Sequence, residues 1–192
     1  MDFNKKIFIL TGEKNTGKSI VCEKILCELA RKPLKITGLL SPARYEGHRK
    51  TGIFCKDIIS GEKKLLAQYK PGWDANNPKR EWRFNQSAIT WGNKVLAKSV
   101  PTGLLIIDEL GYLELEEKSG WKNALYALDS GQFQFAIVVI RPSLIKIAFN
   151  LYPQAEVIEI ASTADRGEAL AYLINGIEEF LKDDRQQLQK PH

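Results

Sequence analysis

One stretch constrains the fold more than any other: Lys6 to Leu26, KIFILTGEKNTGKSIVCEKIL. Within it, Gly12-Glu13-Lys14-Asn15-Thr16-Gly17-Lys18-Ser19 fits the pattern G-x-x-x-x-G-K-[ST] without a gap. Ahead of it, Ile7-Phe8-Ile9-Leu10 is a short apolar run of the kind that forms a buried parallel strand. After Lys18, the residues Ile20, Val21, Ile25, Leu26 and Leu29 recur at helical spacing, so a helix starts inside the motif. A strand that enters such a turn and leaves as a helix aims unpaired N–H groups and the positive end of the helix dipole at one point. That point binds anions. Lys18 adds a full positive charge for the outer phosphates of a nucleotide, and Ser19 a hydroxyl for Mg2+. The four specified residues arise by chance in roughly one chain per hundred of this size, and the correct flanking strand and helix lower that further. The expected nucleotide contacts are Gly12, Glu13, Lys14, Asn15, Thr16, Gly17, Lys18, Ser19 and Ile20.

A second motif completes the first. Leu104-Leu105-Ile106-Ile107 is an aliphatic strand ending in Asp108-Glu109. The carboxyl ends of strands form the ligand-binding edge of an open α/β sheet, which brings Asp108 to the Mg2+ that bridges the outer phosphates, directly or through water. Glu109, pointing elsewhere along the chain, is the candidate to orient or deprotonate a water attacking the γ-phosphate. The Asp-Glu pair resembles the P-loop division with an additional catalytic glutamate, which includes RecA-like ATPases. That division has one strand between the P-loop strand and the Asp-Glu strand, and Phe135–Ile140 supplies it. By the same resemblance Arg141 is a sensor of the γ-phosphate; a surface cation at a turn is the equal alternative. The catalytic set is therefore Glu109, Lys18 and Arg141, and the metal set Ser19 and Asp108.

With 192 residues, 44% hydrophobic and 27% charged, the chain has the composition of one globular domain. The expectation is a three-layer α/β fold: a five-stranded, mainly parallel RecA-like sheet with helices on both faces. Residues 1–182 form the single domain and 183–192 a flexible tail. Within the domain, about 42–84 is a β-rich insertion or lid, because the short strands Lys50–Ile59 and Lys63–Tyr69 break the βα rhythm. Pro71–Arg80 reads as an exposed loop. Trp73, Trp82, Phe84 and Trp91 read as a hydrophobic lid over the sheet edge in preference to a base-stacking surface. Asn85 is an N-cap candidate, and a final helix is expected over Asp165–Lys182.

No apolar run approaches the ~20 residues that span a bilayer. The N-terminus leads straight into a strand, which leaves a cytoplasmic location as the expectation. Three cysteines without C-x-x-C spacing indicate neither disulfides nor zinc. The formal charge of +5 is spread without a basic block, so nucleic acid is not an expected partner. A protein partner or a homo-oligomer stays open.

Together, Gly12–Ser19, the Ser41–Asp57 segment, Ile107-Asp108-Glu109-Leu110-Gly111-Tyr112-Leu113-Glu114-Leu115 and Thr163-Ala164-Asp165-Arg166 resemble the thermophilic-type (THEP) nucleoside-triphosphatase family. The resemblance runs from Lys6 to about Leu181, and D-E-x-G-x-x-E-L is its most distinctive part. It implies Mg2+-dependent, slow hydrolysis of ATP, GTP and other nucleoside triphosphates to diphosphates. It also implies that Thr163 and Arg166 lie near the base or ribose. Two departures stand out. The family loop commonly carries more glycine or proline where this chain has Glu13 to Thr16, which points to weaker nucleotide affinity. Lys50-Thr51 replaces what is often a basic pair, so no phosphate contact is assigned there. The rival activities are a small-molecule or nucleoside kinase with Glu109 as base, and a nucleotide-dependent switch whose partner surface is the Arg44–Ile59 hairpin.

Overall fold

A computed structural model describes residues 5–69 and 82–188, the last six by their backbone alone. β1 (Lys6–Thr11) passes through the glycine loop into α1 (Lys18–Leu29), and β2 (Ile36–Leu40) comes after it. The strands β3 (Ala43–Glu46), β4 (Arg49–Asp57), β5 (Lys63–Tyr69) and β6 (Trp82–Phe84) come next. The second half runs α2 (Gln86–Leu96), β7 (Thr102–Leu110), α3 (Tyr112–Leu115), α4 (Lys122–Ser130) and β8 (Phe133–Ile140). A 3-10 turn at Pro142–Leu144, α5 (Ile145–Leu151), β9 (Glu156–Glu159) and α6 (Asp165–Leu188) close it.

The apolar strands sort their side chains by parity. Ile7 and Ile9 of β1, Leu105 and Ile107 of β7, and Val138 of β8 enter one core with α2, α4 and α5. Phe8 and Leu10, Leu104 and Ile106, and Ile137 and Val139 enter the other, with Val21, Ile25 and Leu29 of α1 and Leu173 and Ile177 of α6. Uninterrupted apolar runs are stable in a strand only when both faces are covered, which is why the fold has three layers.

The described strands form one sheet in the order β6-β5-β4-β2-β7-β8-β1-β9, with β3 paired to β4 off that path. Five strands, β2, β7, β8, β1 and β9, are parallel, and β8 separates β1 from β7. The sheet has nine strands against the expected five because the insertion continues it. β4 pairs antiparallel with β2 through Leu39↔Asp57 and Leu40↔Lys56, and β5 and β6 add outward. At that edge Trp82 stacks on Tyr69 with ring centroids 4.2 Å apart. Asn85 caps α2, its side-chain oxygen accepting from the Ser87 and Ala88 amides at 3.0 and 3.4 Å.

One expectation needs correction. α6 continues to Leu188, six residues beyond the helix end expected at Lys182; no glycine or proline follows Lys182 to stop it before Pro191. α3, which no periodicity announces in four residues, breaks the stretch after β7. The loop expected at Pro71–Arg80, with Trp73, lies outside the described residues.

Candidate functional site

The glycine loop is a tight backbone coil, and its geometry explains its residues. Gly17, at the N-cap of α1, has φ 97°, and a Cβ there would lie 2.2 Å from Arg166 Nε. Asn15 takes the left-handed conformation at φ 67°, a position where asparagine substitutes for glycine at modest cost. Thr16 Oγ1 donates to the Glu13 carbonyl at 3.0 Å, and the Lys18 ammonium donates to the Gly12 and Glu13 carbonyls, both at 2.7 Å. The Glu13, Lys14 and Asn15 side chains are exposed. Desolvation lowers the Lys18 pKa, against which the carboxylates of Glu109 and Asp108 act.

Asp108 lies near the carboxyl end of β7 and is 3% exposed. Its carboxylate accepts from Ser19 Oγ at 3.1 Å and from the Ser41 amide at 3.0 Å, and the Ser41 hydroxyl donates to the Asp108 carbonyl. Burial pushes this carboxyl up to about 6; the hydrogen bonds from Ser41 and Ser19 hold it down and nearby Glu109 pushes it further up. A carboxylate buried at that cost beside a hydroxyl forms a pair of hard oxygen donors, the chemistry Mg2+ prefers. Among the described residues no group of three or more His, Cys, Asp or Glu could hold a metal. The residues fit Mg2+.

Glu109 follows Asp108 at the end of β7. The β7–β8 register shifts at this point, between Asp108 and Leu110, so Glu109 occupies a bulge. Its carboxylate accepts from Arg141 Nε at the end of β8. Both partners are substantially exposed, at 32% and 48% of their side chains. A pair so placed contributes ~0–1 kcal/mol and yields readily to a phosphate.

Lys50 is the residue that sequence reasoning set aside. It is half-buried on β4; desolvation lowers its pKa, while the Glu109 and Asp108 carboxylates raise it and Arg141 lowers it. The β3–β4 hairpin thus brings a second lysine into the field of both carboxylates. Ser41, between β2 and β3, was missed too. The signal available was only that Ser41–Asp57 belongs to the family-like segment.

The remaining expected residues divide. Arg166, in the first turn of α6, donates from Nε to the Thr16 carbonyl at 2.7 Å and so braces the loop. Thr163 is exposed in the segment between β9 and α6, and Ile20 is exposed on α1.

A glycine loop between β1 and α1, an Asp-Glu pair on β7 and an intervening β8 define the P-loop nucleoside-triphosphatase class, in its RecA-like form. The chain belongs to the NTPase family, whose model matches residues 7–170. It is similar to nucleoside-triphosphatase THEP1 of Ignicoccus hospitalis, at 28% identity over 67% of this chain and 72% of the relative. The THEP1 of Thermofilum pendens is 26% identical over 72% of this chain and 76% of that one. Among solved structures, THEP1 from Aquifex aeolicus superposes with a TM-score of 0.63 at 21% identity, covering 90% of this chain and 99% of that one. A human cancer-related nucleoside triphosphatase superposes with a TM-score of 0.67 at 18% identity, covering 91% and 98%. These last two speak for the fold.

Among the described residues no helix is long and apolar enough to cross a membrane.

Proposed function

We propose that this enzyme hydrolyses nucleoside triphosphates to diphosphate and phosphate, with Mg2+, slowly and with broad base specificity, and that residues 1–182 act as one catalytic domain with the 42–84 insertion as its lid. The observation that carries the reading is the hydrogen bond from Ser19 to Asp108, with Glu109 next in the chain and bonded to Arg141. Ser19 and Asp108 would hold the Mg2+, which when bound offsets charge on the outer phosphates.

The loop amides and Lys18 bind the phosphates, Lys18 exchanging the Gly12 and Glu13 carbonyls for phosphate oxygens. Glu109 orients the attacking water and takes its proton. Arg141 leaves Glu109 for the γ-phosphate, and Lys50 faces the charge that develops there. Glu109 serves as base once its exposed, weak pair with Arg141 has parted; slow turnover is what the family resemblance implies. Broad specificity follows from recognition centred on phosphates, while the Arg166 Nε is engaged by the loop.

The test is a turnover panel of ATP, GTP, CTP, UTP and dNTPs with Mg2+, with and without nucleosides, analysed for products. Diphosphate and phosphate in equal amounts from several nucleotides are expected. A phosphorylated nucleoside formed in preference to free phosphate would replace hydrolysis by phosphotransfer.

A further inference from the structure

The backbone at Glu109 poses a problem that the sheet does not solve. Asp108 pairs with Val139 and Leu110 with Ile140, and the register shift between them leaves Glu109 in a bulge. Bulges beside active sites re-aim a side chain, but the ladder no longer fixes the extra residue. Its direction then depends on what holds the chain immediately afterwards.

The segment beyond the bulge is stapled by one side chain. Glu114 in α3 is 6% exposed, and nothing in the proposed mechanism uses it. Its Oε2 accepts from the Gly111 amide at 2.8 Å, two residues beyond Glu109. Its Oε1 accepts from the Trp121 amide at 2.8 Å, at the start of α4. The fit is close: Gly120 has φ 57°, and a Cβ there would lie 2.0 Å from Oε1. The far end of this loop is anchored in turn. The Trp121 ring lies on Gly92 of α2, where a Cβ would approach it to 2.4 Å. Beside it, the Asn93 side chain donates to the Gly120 carbonyl at 2.7 Å and accepts from the Asn123 amide at 2.9 Å. Gly111 is thereby tied through one buried carboxylate to α2 and α4, two helices packed in the core.

A buried carboxylate is costly unless fully bonded, and burial raises the pKa of this one. An apolar residue would fill the space without that cost, so a carboxylate at this position fits a demand on geometry. Two charge-assisted bonds, one to each end of the loop, meet such a demand.

We propose that Glu114 is a positioning residue for hydrolysis: by bridging the Gly111 and Trp121 amides it fixes the bulge that directs Glu109 at the attacking water. The inference rests on the proposed role of Glu109 and deepens it.

The experiment is a double-mutant cycle of Glu114→Gln and Glu109→Gln on the full chain, with single-turnover phosphate release and binding of a fluorescent nucleotide analogue as readouts. The glutamine is isosteric but turns an NH2 toward one of the two amides, so one anchor is lost. Glu114→Gln alone is expected to lower the hydrolysis rate about 10–100-fold, the effect of a displaced catalytic group, with nucleotide affinity unchanged. In the Glu109→Gln background it is expected to cause no further loss, because it acts through Glu109. Glu114→Asp, which keeps the charge but is too short to reach both amides, is expected to behave likewise and serves if the glutamine variant does not fold. An undiminished rate in the variant that folds, an equal loss of affinity, or a loss that adds in full to that of Glu109→Gln overturns the proposal. A wild type and Glu109→Gln that behave as proposed beside such a result confine the failure to Glu114. A wild type that releases no phosphate takes both readings down.

Discussion

Asp108 should cost the nucleotide-free protein stability, and Asp108→Asn should reveal how much. Burial pushes its carboxyl up from the ordinary 3.8 to about 6. The difference of roughly two pKa units corresponds to about 3 kcal/mol, and the group is buried, so solvent screening does not discount it. Because the folded-state pKa is raised, the folded chain holds the proton more tightly than the unfolded one. The contribution of this carboxyl to stability is therefore greatest below pH ~4 and is lost as the pH rises through ~6. Asparagine removes the charge and keeps both contacts: its Oδ1 accepts from the Ser41 amide, and its Nδ2 faces the Ser19 hydroxyl, which can accept as well as donate. Urea unfolding of both proteins in a chelator, from pH 4 to 8, gives the measurement. Asp108→Asn should be more stable by ~2 kcal/mol at pH 7.5, the linkage figure reduced for relaxation, and equal to wild type near pH 4. It should also lose Mg2+-dependent turnover. A variant that is less stable at pH 7.5, or a difference independent of pH, would refute the view that this carboxylate is held uncompensated for a cation.

Other substitutions probe the rest of the site. Lys50→Ala should lower kcat about 100–1,000-fold, the effect of removing one group that stabilises charge in the transition state, with little change in KM; steady-state kinetics decide, and a change in KM alone would place Lys50 in ground-state binding. Arg166→Ala removes the hydrogen bond to the Thr16 carbonyl and should weaken nucleotide binding about tenfold, in line with ~1.5 kcal/mol for a bond from a charged donor, as titration with a fluorescent nucleotide would show.

Much of this was legible in the sequence because it is local. The loop lies between a strand and a helix whose patterns are visible on either side of Gly12–Ser19, and the aliphatic run before Asp108 needs two covered faces. Even the interposition of Phe135–Ile140 follows from chain order once the class is recognised. The features that escaped depend on contacts distant in sequence. Ser41 reaches Asp108 because β2 runs parallel to β7 from Ile36↔Leu104 onward, and nothing in the residues around Ser41 encodes that pairing. Lys50 reaches the carboxylates only because the insertion extends the sheet and does not stand apart from it. Glu114 was visible as part of a motif, yet its task depends on the return of the chain at Trp121. Arg141 was equally a sensor or a surface cation; its contact with Glu109 is a relation between two strand ends that neither strand announces.

The central claim is that Glu109 serves hydrolysis and not nucleotide binding. The most direct measurement is phosphate release by Glu109→Gln beside its affinity for nucleotide, with Lys18→Ala as the variant that should lose binding or turnover. The account predicts that Glu109→Gln binds nucleotide as the wild type does while its hydrolysis falls at least ~100-fold, the lower range for loss of a general base. Full activity in Glu109→Gln would contradict it.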